Sequence, residues 1–425
     1  MPTENVSIPQ KPGSALVVGC GVVGQTVALR LQRAGIATTV IDRAGDKPAS
    51  WGNAGHIAVE QVDPLASWTT IRSMPKRLFV RGGALGLPWR DIAAWLPFGR
   101  LLIAAAHPRR FAAGQKALSA KLARAMPAWR DVLDDARARE LLREEGHFVV
   151  WESEATAREG AARWKSAPTG TATVRDATAA ELAGLQALGT APLAGGVRFD
   201  GSGQIADLGQ LALRLRTAFV GAGGMVETAT VDRLDHGAAQ VTAQLTDGRA
   251  LSADIVVVAG GATSHALLRP LGYSVPLIAE RGYHIQSAET SWPADMPPVV
   301  YEDRSMIVTG FHSGLRAASF VEFGRHQSPP DRRKWARLRS HVAALGLPFT
   351  LPGSEWMGAR PTLPDYLPAI GRAARHPRLL YAFGHQHLGL TLAAITADAV
   401  AALVESREPP FDLAPFDLSR FGGTT

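Results

Sequence analysis

Cysteine is almost missing from this sequence of 425 residues, because Cys20 is the only one. A single thiol excludes an intrachain disulfide, and without a resolving cysteine a redox role for it is not expected. The first ten residues lack the apolar core of a secretory signal, so we expect a cytoplasmic protein. Residues 379–397 contain no Asp, Glu, Lys or Arg, but glycines and the polar run His385-Gln386-His387 interrupt them. We therefore predict no membrane-spanning helix.

Acidic residues are in deficit, with 38 Asp and Glu against 45 Lys and Arg and a formal net charge of +7. This imbalance predicts an anionic partner: a nucleotide cofactor, an acidic substrate or an anionic lipid. Nucleic acid is not expected, because no basic run with interleaved aromatic residues occurs. The histidines lack the His-x-x-x-His spacing of a zinc-binding helix, and we predict no metal site.

The most informative motif that is present is a glycine turn near the start of the chain. Apolar residues 15–18 predict a buried parallel strand. Gly19 permits the tight turn, Gly21 lets a pyrophosphate approach the backbone, and Gly24 lets the following helix pack on the strand. The N-terminus of that helix would face the phosphates. Asp42, at the end of the next strand, can accept a hydrogen bond from an adenosine ribose, so the motif predicts dinucleotide binding.

The character of the sequence alternates along the chain. Stretches typical of a nucleotide-binding sheet are 14–60, 200–270 and 355–420, and stretches of a different character are 61–199 and 271–354. We therefore predict an α/β protein with a discontinuous Rossmann-like domain and an α+β substrate domain that contains an antiparallel sheet. A ligand site is expected between the two domains.

Periodicity, caps and turn residues predict several local elements. The predicted helices are Asp207–Gly221 with Asp207 as N-cap, Arg332–Ala344, and Thr391–Glu405. The predicted strands include a single buried strand over 251–259, preceded by a hairpin turn at Asp247-Gly248, and an antiparallel pair over 299–309 and 314–323.

Four further stretches, in this order after the glycine turn, point to a known family. They are residues 50–57 (SWGNAGHI), 281–285 (RGYHI), 358–365 (GARPTLPD) and 384–391 (GHQHLGLT). Over nearly its whole length the chain resembles the FAD-dependent D-amino acid dehydrogenases, within the superfamily of D-amino acid oxidase and glycine oxidase. It departs at His56, where relatives often carry Gln or another small polar residue, and at residues 384–387, where they often carry a Gly-His-Gly sequence. The His-Gln-His-Leu-Gly-Leu form is similar to the subgroup that acts on cis-4-hydroxy-D-proline.

The resemblance implies FAD rather than NAD as the cofactor. Its ADP half would be held by Gly19, Gly21, Val22, Val23, Gly24 and Asp42. Its isoalloxazine would lie along Gly52, Asn53, Ala54, Gly55, His56 and Ile57. Val231 would contact the adenine, and Ala259, Gly260 and Gly261 would pass the pyrophosphate. Arg43 either flanks the adenine or a phosphate or is a solvated surface residue.

The stretch before the last helix would lie at the pyrimidine end of the flavin. Its residues are Gly384, His385, Gln386, His387, Leu388, Gly389, Leu390 and Thr391. A helix N-terminus there would place partial positive charge near flavin N1 and O2 and favour the reduced state. Thr391 is the expected N-cap. His385 or His387 is either a local donor or a packing residue.

Arg360 is the expected substrate residue, because a guanidinium binds a carboxylate in a bidentate fork. Pro361 forces Arg360 into an extended conformation, and the matching arginine serves this role in the family. Tyr283 and Tyr301 are either pocket residues or core residues. His284 is expected on the opposite face of the strand from Tyr283.

The reaction implied by the resemblance is hydride transfer from the substrate Cα to flavin N5. A primary amine gives an imine, which water converts to a keto acid and ammonia, whereas cyclic hydroxyproline gives a pyrroline carboxylate. Electrons would pass to a quinone-type acceptor. The alternatives are a glycine or sarcosine oxidase that uses oxygen, and a flavin-carrying subunit of a heteromeric dehydrogenase. An NAD-dependent enzyme is disfavoured by residues 384–391.

Residues 85–111 combine Trp, Leu and Ile with flanking arginines, and Pro97 interrupts them. This composition is typical either of a peripheral segment in a lipid interface or of two helices packed on the substrate domain. A peripheral contact would be on the inner face of the cell membrane, where the family's quinone acceptor would be met.

Overall fold

The computed structural model of the protein describes residues 11–43, 45, 47–237, 239–288 and 290–422, so the polar segment 1–10 lies outside the described residues. The helices are α1 (Val22–Arg33), α2 (Trp68–Arg77), α3 (Ile92–Ala105), α4 (Pro108–Leu122), α5 (Ala125–Asp135), α6 (Glu154–Ser166), α7 (Ala179–Gln186), α8 (Leu208–Gly221), α9 (Ser264–Leu268), α10 (Arg332–Ala344) and α11 (Gly389–Val404). The strands are β1 (Ser14–Val18), β2 (Ala37–Asp42), β3 (His56–Ile57), β4 (Leu85–Gly86), β5 (Leu142–Arg143), β6 (His147–Trp151), β7 (Thr173–Asp176), β8 (Gly195–Asp200), β9 (Gly203–Ile205), β10 (Met225–Thr228), β11 (Val231–His236), β12 (Val241–Leu245), β13 (Ala250–Ala253), β14 (Ile255–Val258), β15 (Ile278–Ser287), β16 (Val299–Tyr301), β17 (Met306–Phe311), β18 (Gly314–Gly324), β19 (Ser354–Thr362), β20 (Ala369–Arg372) and β21 (Leu379–Phe383).

The first sheet has the strand order β10-β2-β1-β14-β21-β20 and is parallel except where β20 meets β21. Its central strands β1 and β14 consist mostly of Ala, Leu, Val and Ile and are buried along nearly their whole length, because α1 and α11 cover one face of the sheet and β11–β13 with α9 cover the other. The carboxyl ends of β1, β2 and β14 meet at one edge of the sheet. That edge is where an open parallel sheet binds its ligand.

The second sheet has the order β19-β15-β18-β17-β16-β6-β8-β7, with β4 added to β18. It is antiparallel apart from the pairs β16–β6 and β18–β4. Strand β15 lies between β18 and β19, and this register sets Glu280 directly opposite Arg360. Because β19 begins at Ser354, the third predicted nucleotide-type segment opens with a strand of the second sheet. The domain boundaries otherwise stay a prediction.

Two predicted strands are interrupted. The strand expected over 251–259 is two strands in different sheets: β13 joins β11 and β12, and β14 joins the first sheet. Asp254 stands between them, and its carboxylate accepts from the backbone N–H groups of Gly13 and Ser14. The strand expected over 299–309 breaks at a 3-10 turn over Glu302–Arg304. The hydrophobic pattern of the sequence does not reveal these two breaks, because apolar strand residues continue on both sides of each.

Other local predictions are confirmed. Asp207 caps α8 through its Oδ1, which accepts from the backbone N–H of Gln210 at 2.8 Å. Helix α10 spans Arg332–Ala344. The turn at Asp247-Gly248 joins β12 to β13, with Gly248 at a φ of +87°. Strands β17 and β18 pair in antiparallel fashion.

Helix α11 forms the centre of the larger core. It is rich in alanine, is buried on every side, and packs against α1 and α5. Among the described residues, Gln386–Val404 is the one helical stretch long and apolar enough to cross a membrane by composition, and 78% of that window is buried in the fold. A helix that is apolar all round and enclosed by its own protein is also what a core helix looks like.

Candidate functional site

A cavity of about 1620 Å³ runs from the carboxyl edge of the first sheet to the second sheet. Its walls include Gly19, Asp42 and Val231 at one end and Glu280 and Arg360 at the other. The volume exceeds that of a usual small-ligand pocket, so the cavity has room for a dinucleotide and a small substrate together.

At each of the three glycines in the β1–α1 turn, an added Cβ would meet different surroundings. Gly19 has a φ of +110°, and a Cβ there would lie 2.5 Å from the carbonyl oxygen of Ala259. A Cβ on Gly24 would overlap the carbonyl oxygen of Gly19. At Gly21 the nearest protein atom to a Cβ would be 3.7 Å away, on Pro48. The protein therefore does not exclude a side chain at Gly21, and the glycine there leaves space on the cavity side.

The end of helix α1 fits a dinucleotide phosphate. The helix begins after Gly21 with no side-chain cap on its first turn, although the N–H of Val22 donates to Ser50 Oγ at 3.2 Å. Asp42 is fixed at the end of β2, because its Oδ2 accepts from the N–H of Cys20 at 3.0 Å and its Oδ1 from that of Arg43 at 2.9 Å. A helix N-terminus that borders the cavity and an oriented carboxylate fit the pyrophosphate and ribose of FAD.

Most of the predicted cofactor residues line this cavity. They are Gly19, Gly21, Val22, Val23, Asp42, Arg43, Gly52, Asn53, Ala54, His56, Val231, Ala259, Gly260, Gly261, His385, Gln386, His387, Gly389 and Leu390. The predicted cofactor residues that the structure places behind the cavity surface are Gly24, Gly55, Ile57, Gly384, Leu388 and Thr391. Which of them contact FAD stays a prediction.

The segment before β3 is tied to the second sheet. Arg316 on β18 donates through Nη1 to the carbonyl oxygens of Trp51 at 3.0 Å and Asn53 at 2.6 Å. Burial lowers the pKa of Arg316 to about 10. His284 Nδ1 lies 3.1 Å from the carbonyl oxygen of Gly52, and its imidazole stacks on Trp356. The backbone that would run along the isoalloxazine is therefore held rigidly from behind.

Arg360 presents its guanidinium to the cavity. Nη1 donates to Glu280 Oε1 at 3.3 Å and to the carbonyl oxygen of Phe320 at 3.2 Å, and these described hydrogen bonds leave Nη2 and Nε for a ligand. The side chain is 27% exposed, whereas Glu280 is buried. Gly282 makes room for the guanidinium, because a Cβ there would overlap it. Arg360 lies in strand β19, so the extended conformation predicted from Pro361 is confirmed.

Glu280 is a residue that the sequence analysis missed. Its Oε2 accepts from Thr362 Oγ1 at 3.2 Å and from the Tyr366 hydroxyl at 3.0 Å, while its Oε1 faces Arg360. The carboxylate thus holds the guanidinium from behind. The sequence signal is one acid within strand β15, but its role depends on the β15–β19 register, which the sequence does not specify.

The two tyrosines lie in different surroundings. The Tyr283 hydroxyl donates to Glu322 Oε1 at 2.9 Å and accepts from the N–H of Asp331 at 3.1 Å, so its polar tip faces a buried ionic network although the residue also lines the cavity. Tyr301 is buried in the core of the second sheet and does not line the cavity. Burial raises the pKa of both phenols. His284 lies on the opposite face from Tyr283, toward Gly52.

The start of α11 differs from its prediction. The helix begins at Gly389, so Thr391 is inside its first turn and does not cap it. Its hydroxyl instead accepts from the N–H of Ala58 at 2.9 Å, which ties the helix to the chain after β3. Because Gly389 and Leu390 line the cavity, the N-terminus of α11 still borders the site.

The two histidines before α11 are both buried within the fold or at the cavity wall. His385 Nε2 lies 3.0 Å from Thr396 Oγ1, and burial holds its pKa well below its usual value. His387 Nε2 lies 2.5 Å from Gln61 Oε1, and burial lowers its pKa to about 4. His387 lines the cavity, with its Nε2 facing Gln61.

The structure also brings together three side chains that the sequence analysis did not group. His56, Glu60 and His147 converge beside the cavity. Burial opposes the charge on Glu60, but the two imidazoles outweigh it and lower the pKa of Glu60 to about 2. Burial lowers the pKa of His147 to about 3. His147 is far from the other two in the sequence, so no spacing signal marks the group.

Comparisons with known proteins agree with this geometry. Residues 14–403 match the model of the DAO family, described as FAD dependent oxidoreductase. The D-amino-acid oxidase of Bradyrhizobium diazoefficiens is 29% identical over 414 residues, which cover 95% of this chain and 98% of that protein. A D-amino acid dehydrogenase of Cereibacter sphaeroides is 29% identical over 423 residues, which cover 96% of this chain and 95% of that protein.

Solved structures share the fold. Glycine oxidase from Geobacillus kaustophilus superposes with a TM-score of 0.72 at 21% identity, covering 96% of this chain and 98% of that one. Iminodiacetate oxidase from Chelativorans sp. BNC1 superposes with a TM-score of 0.70 at 18% identity, covering 95% and 98%. The glycine turn, the cavity and the family match over 14–403 lead to one conclusion: the chain belongs to the DAO family of FAD-dependent oxidoreductases.

Proposed function

We propose that this flavoenzyme oxidises a D-amino acid or a cyclic D-imino acid. The observation that carries the proposal is Arg360, a half-buried guanidinium that faces the cavity with Nη2 and Nε uncommitted among the described contacts. A fork of this kind recognises a carboxylate. The names of the two relatives at 29% identity, a D-amino-acid oxidase and a D-amino acid dehydrogenase, support the same substrate class.

The chain's own residues would act mainly by positioning. Arg360, held from behind by Glu280, would bind the substrate carboxylate and so orient the Cα–H bond. Bound FAD supplies the hydride acceptor. Fixing the reacting carbon in one orientation removes much of the entropic part of the barrier. No protein acid or base is required for this step if the substrate amine binds in its neutral form.

The narrower substrate proposal is D-proline or cis-4-hydroxy-D-proline. Loss of a hydride and a proton from such a ring gives a pyrroline carboxylate, whereas a primary D-amino acid gives an imine that water converts to keto acid and ammonia. We propose a quinone-type acceptor for the electrons. The name of the Bradyrhizobium relative, an oxidase, favours oxygen as the second candidate.

An anaerobic spectral screen tests this function. Pure holoenzyme is mixed with D-amino acids, D-proline, cis-4-hydroxy-D-proline, glycine and sarcosine, with the L-enantiomers as controls. We expect loss of the flavin absorbance with a D-substrate and recovery when a quinone analogue is added. Bleaching by glycine or sarcosine alone, with reoxidation by oxygen, would contradict the proposal. A flavin that no amino acid bleaches would support a flavin-carrying subunit.

We further propose that the face formed by α2, α3 and the start of α4 contacts an anionic membrane from the cytoplasmic side. Helix α3 buries Phe98, Leu102 and Ala105, yet a second apolar stripe on its outer face leaves 45–48% of Ile92, Leu96 and Ile103 exposed. Nearby, Trp89 and Val80 are more than 80% exposed.

The charge of this face supports the same partner. Between residues 64 and 130 the sequence has one acid, Asp91, and that side chain is buried. The exposed basic residues of the stretch include Arg72, Lys76, Arg77, Arg81, Arg90, Arg100, Arg109 and Arg110. Apolar side chains ringed by arginines and lysines fit a lipid interface that carries negative charge. A quinone acceptor would be met there.

A further inference from the structure

A buried cluster of three metal-ligand side chains lies beside the cofactor cavity. His56 is on β3, Glu60 follows it by four residues, and His147 begins β6. One ligand atom from each lies within 4.8 Å of the others. The side chains of His56 and Glu60 are 9% and 3% exposed, and His147 is 3% exposed. The fold thus encloses the neighbouring pair His56 and Glu60 together with His147, which is distant in the sequence.

The cluster leaves polar atoms without partners. Glu60 Oε1 lies 3.0 Å from His56 Nε2, but Glu60 Oε2 and His56 Nδ1 are buried with no hydrogen-bond partner among the described residues. Gln204 stands opposite His56 in the β3–β9 register, and its Oε1 is also buried and unpartnered. An unpaired buried carboxylate oxygen is costly, so Glu60 Oε2 indicates that this cluster lacks a cationic or donor partner.

His147 is oriented from outside the cluster. Its Nδ1 lies 2.8 Å from Ser202 Oγ, and its ring stacks on Phe199 with 4.4 Å between centroids. If Nδ1 donates to the serine, Nε2 keeps its lone pair. A ligating histidine usually has its other nitrogen hydrogen-bonded in this way, which fixes the ring. Nδ1 of His147 therefore already has the hydrogen-bond partner that orients a ligating histidine, which leaves Nε2 for the metal.

We propose that His56, Glu60 and His147 bind one divalent transition-metal cation of the Zn²⁺ class. Two imidazoles and a carboxylate suit such an ion, whereas the hard cations Ca²⁺ and Mg²⁺ prefer a shell of oxygens. The separation of 3.0 Å between His56 Nε2 and Glu60 Oε1 is compatible with two ligands of one ion at about 2.0–2.1 Å each. Because His56 and Glu60 line the cavity, a fourth ligand position would open toward it. The site is independent of the substrate proposed above.

Zinc stoichiometry tests the proposal. Tag-free holoenzyme is stripped with a chelator, equilibrated with Zn²⁺, dialysed, and analysed by mass spectrometry for zinc and by absorbance for FAD. We expect about one zinc per wild-type chain and a loss of at least tenfold in bound zinc for Glu60→Gln and His147→Gln. The control is His376→Gln, which removes one ring of the His236–His376 pair, whose centroids are 4.4 Å apart. It should keep the zinc.

Three results would overturn the proposal. The first is a wild-type holoenzyme that binds less than about a tenth of an equivalent of zinc per chain. The second is a set of cluster variants that retain FAD and bind as much zinc as the wild type. The third is loss of zinc in the His376→Gln control while the cluster variants keep it. If the cluster variants do not fold, X-ray absorption at the zinc edge of the wild type decides. Two imidazoles with oxygen in the first shell support the site, and any other shell, including that of an adventitious ion, contradicts it.

Discussion

At the residue scale, the end of the cavity that we propose binds the substrate contains the pair Arg360 and Glu280. Glu280 is buried and accepts from Arg360, Thr362 and Tyr366, so its charge is compensated inside the protein. The guanidinium is partly exposed and keeps donors for a ligand. The pair orients a cation toward the cavity without leaving a buried charge unpaired.

Replacing Arg360 should weaken substrate binding without removing the cofactor. For Arg360→Ala we expect a loss of about 2–5 kcal/mol in substrate binding, because a partly desolvated charge pair is lost. Arg360→Lys should lose less, since a lysine keeps the charge but not the bidentate fork. The measurement is the half-saturating concentration for anaerobic flavin reduction, with the yellow colour as the folding control. Wild-type half-saturation in Arg360→Ala would refute the assignment.

At the scale of elements, two glycines of the β1–α1 turn differ in their surroundings, one packed against the protein and one facing the cavity. Gly24 is required by contact within the protein, whereas Gly21 meets no protein atom closer than 3.7 Å to a Cβ. The same motif therefore contains one glycine for the fold and one for the cofactor. The glycine spacing predicts this division, and the structure adds the distances that separate the two positions.

Alanine at Gly24 and alanine at Gly21 should change different properties, the first the stability of the apoprotein and the second the affinity for FAD. Gly24→Ala should destabilise the apoprotein by about 1–3 kcal/mol, because overpacking forces the helix away from the strand. Gly21→Ala should leave the apoprotein nearly as stable as the wild type and weaken FAD binding. Thermal unfolding of the apoproteins and titration with FAD measure the two effects. Wild-type FAD affinity in Gly21→Ala would show that Gly21 is not needed for cofactor approach.

Much of this architecture is predictable from the sequence where the signals are local. The β1–α1–β2 unit, the Asp207 cap and α10 follow from periodicity and capping chemistry. What is missed depends on pairing between distant segments. Thr391 was expected to cap α11, yet its hydroxyl serves Ala58, and Glu280 gains its role only because β19 pairs with β15. The cluster of His56, Glu60 and His147 likewise forms only in the folded chain.

At the scale of the whole molecule, the face around α3 should decide where the enzyme works. A triple variant Ile92→Ser, Leu96→Ser and Ile103→Ser should reduce cosedimentation with anionic phosphatidylglycerol vesicles at least tenfold, because it removes the exposed apolar stripe. The matched control is Leu213→Ser with Val220→Ser, two exposed apolar residues of α8 that are 54% and 50% exposed.

Wild-type binding to anionic vesicles is also compared with binding to neutral vesicles and with binding at high salt. Neutral vesicles and high salt should also weaken wild-type binding, since salt screens the basic side chains. Binding that is equal for the triple variant and the control, or no wild-type binding to anionic vesicles at all, would refute the membrane proposal. Neither result would affect the proposed oxidation.

Pairing of Arg360 with the substrate carboxylate is tested most directly by removing each group in turn, the carboxylate from the substrate and the guanidinium from the protein. Anaerobic flavin reduction is measured for wild type and Arg360→Ala, each with the best substrate of the screen and with the amine that lacks its carboxylate. For wild type, removing the carboxylate should cost about 30-fold to several thousand-fold, the equivalent of about 2–5 kcal/mol. The variant should barely distinguish the two compounds. If it prefers the carboxylate as strongly as wild type does, Arg360 does not bind the acid and the account is wrong.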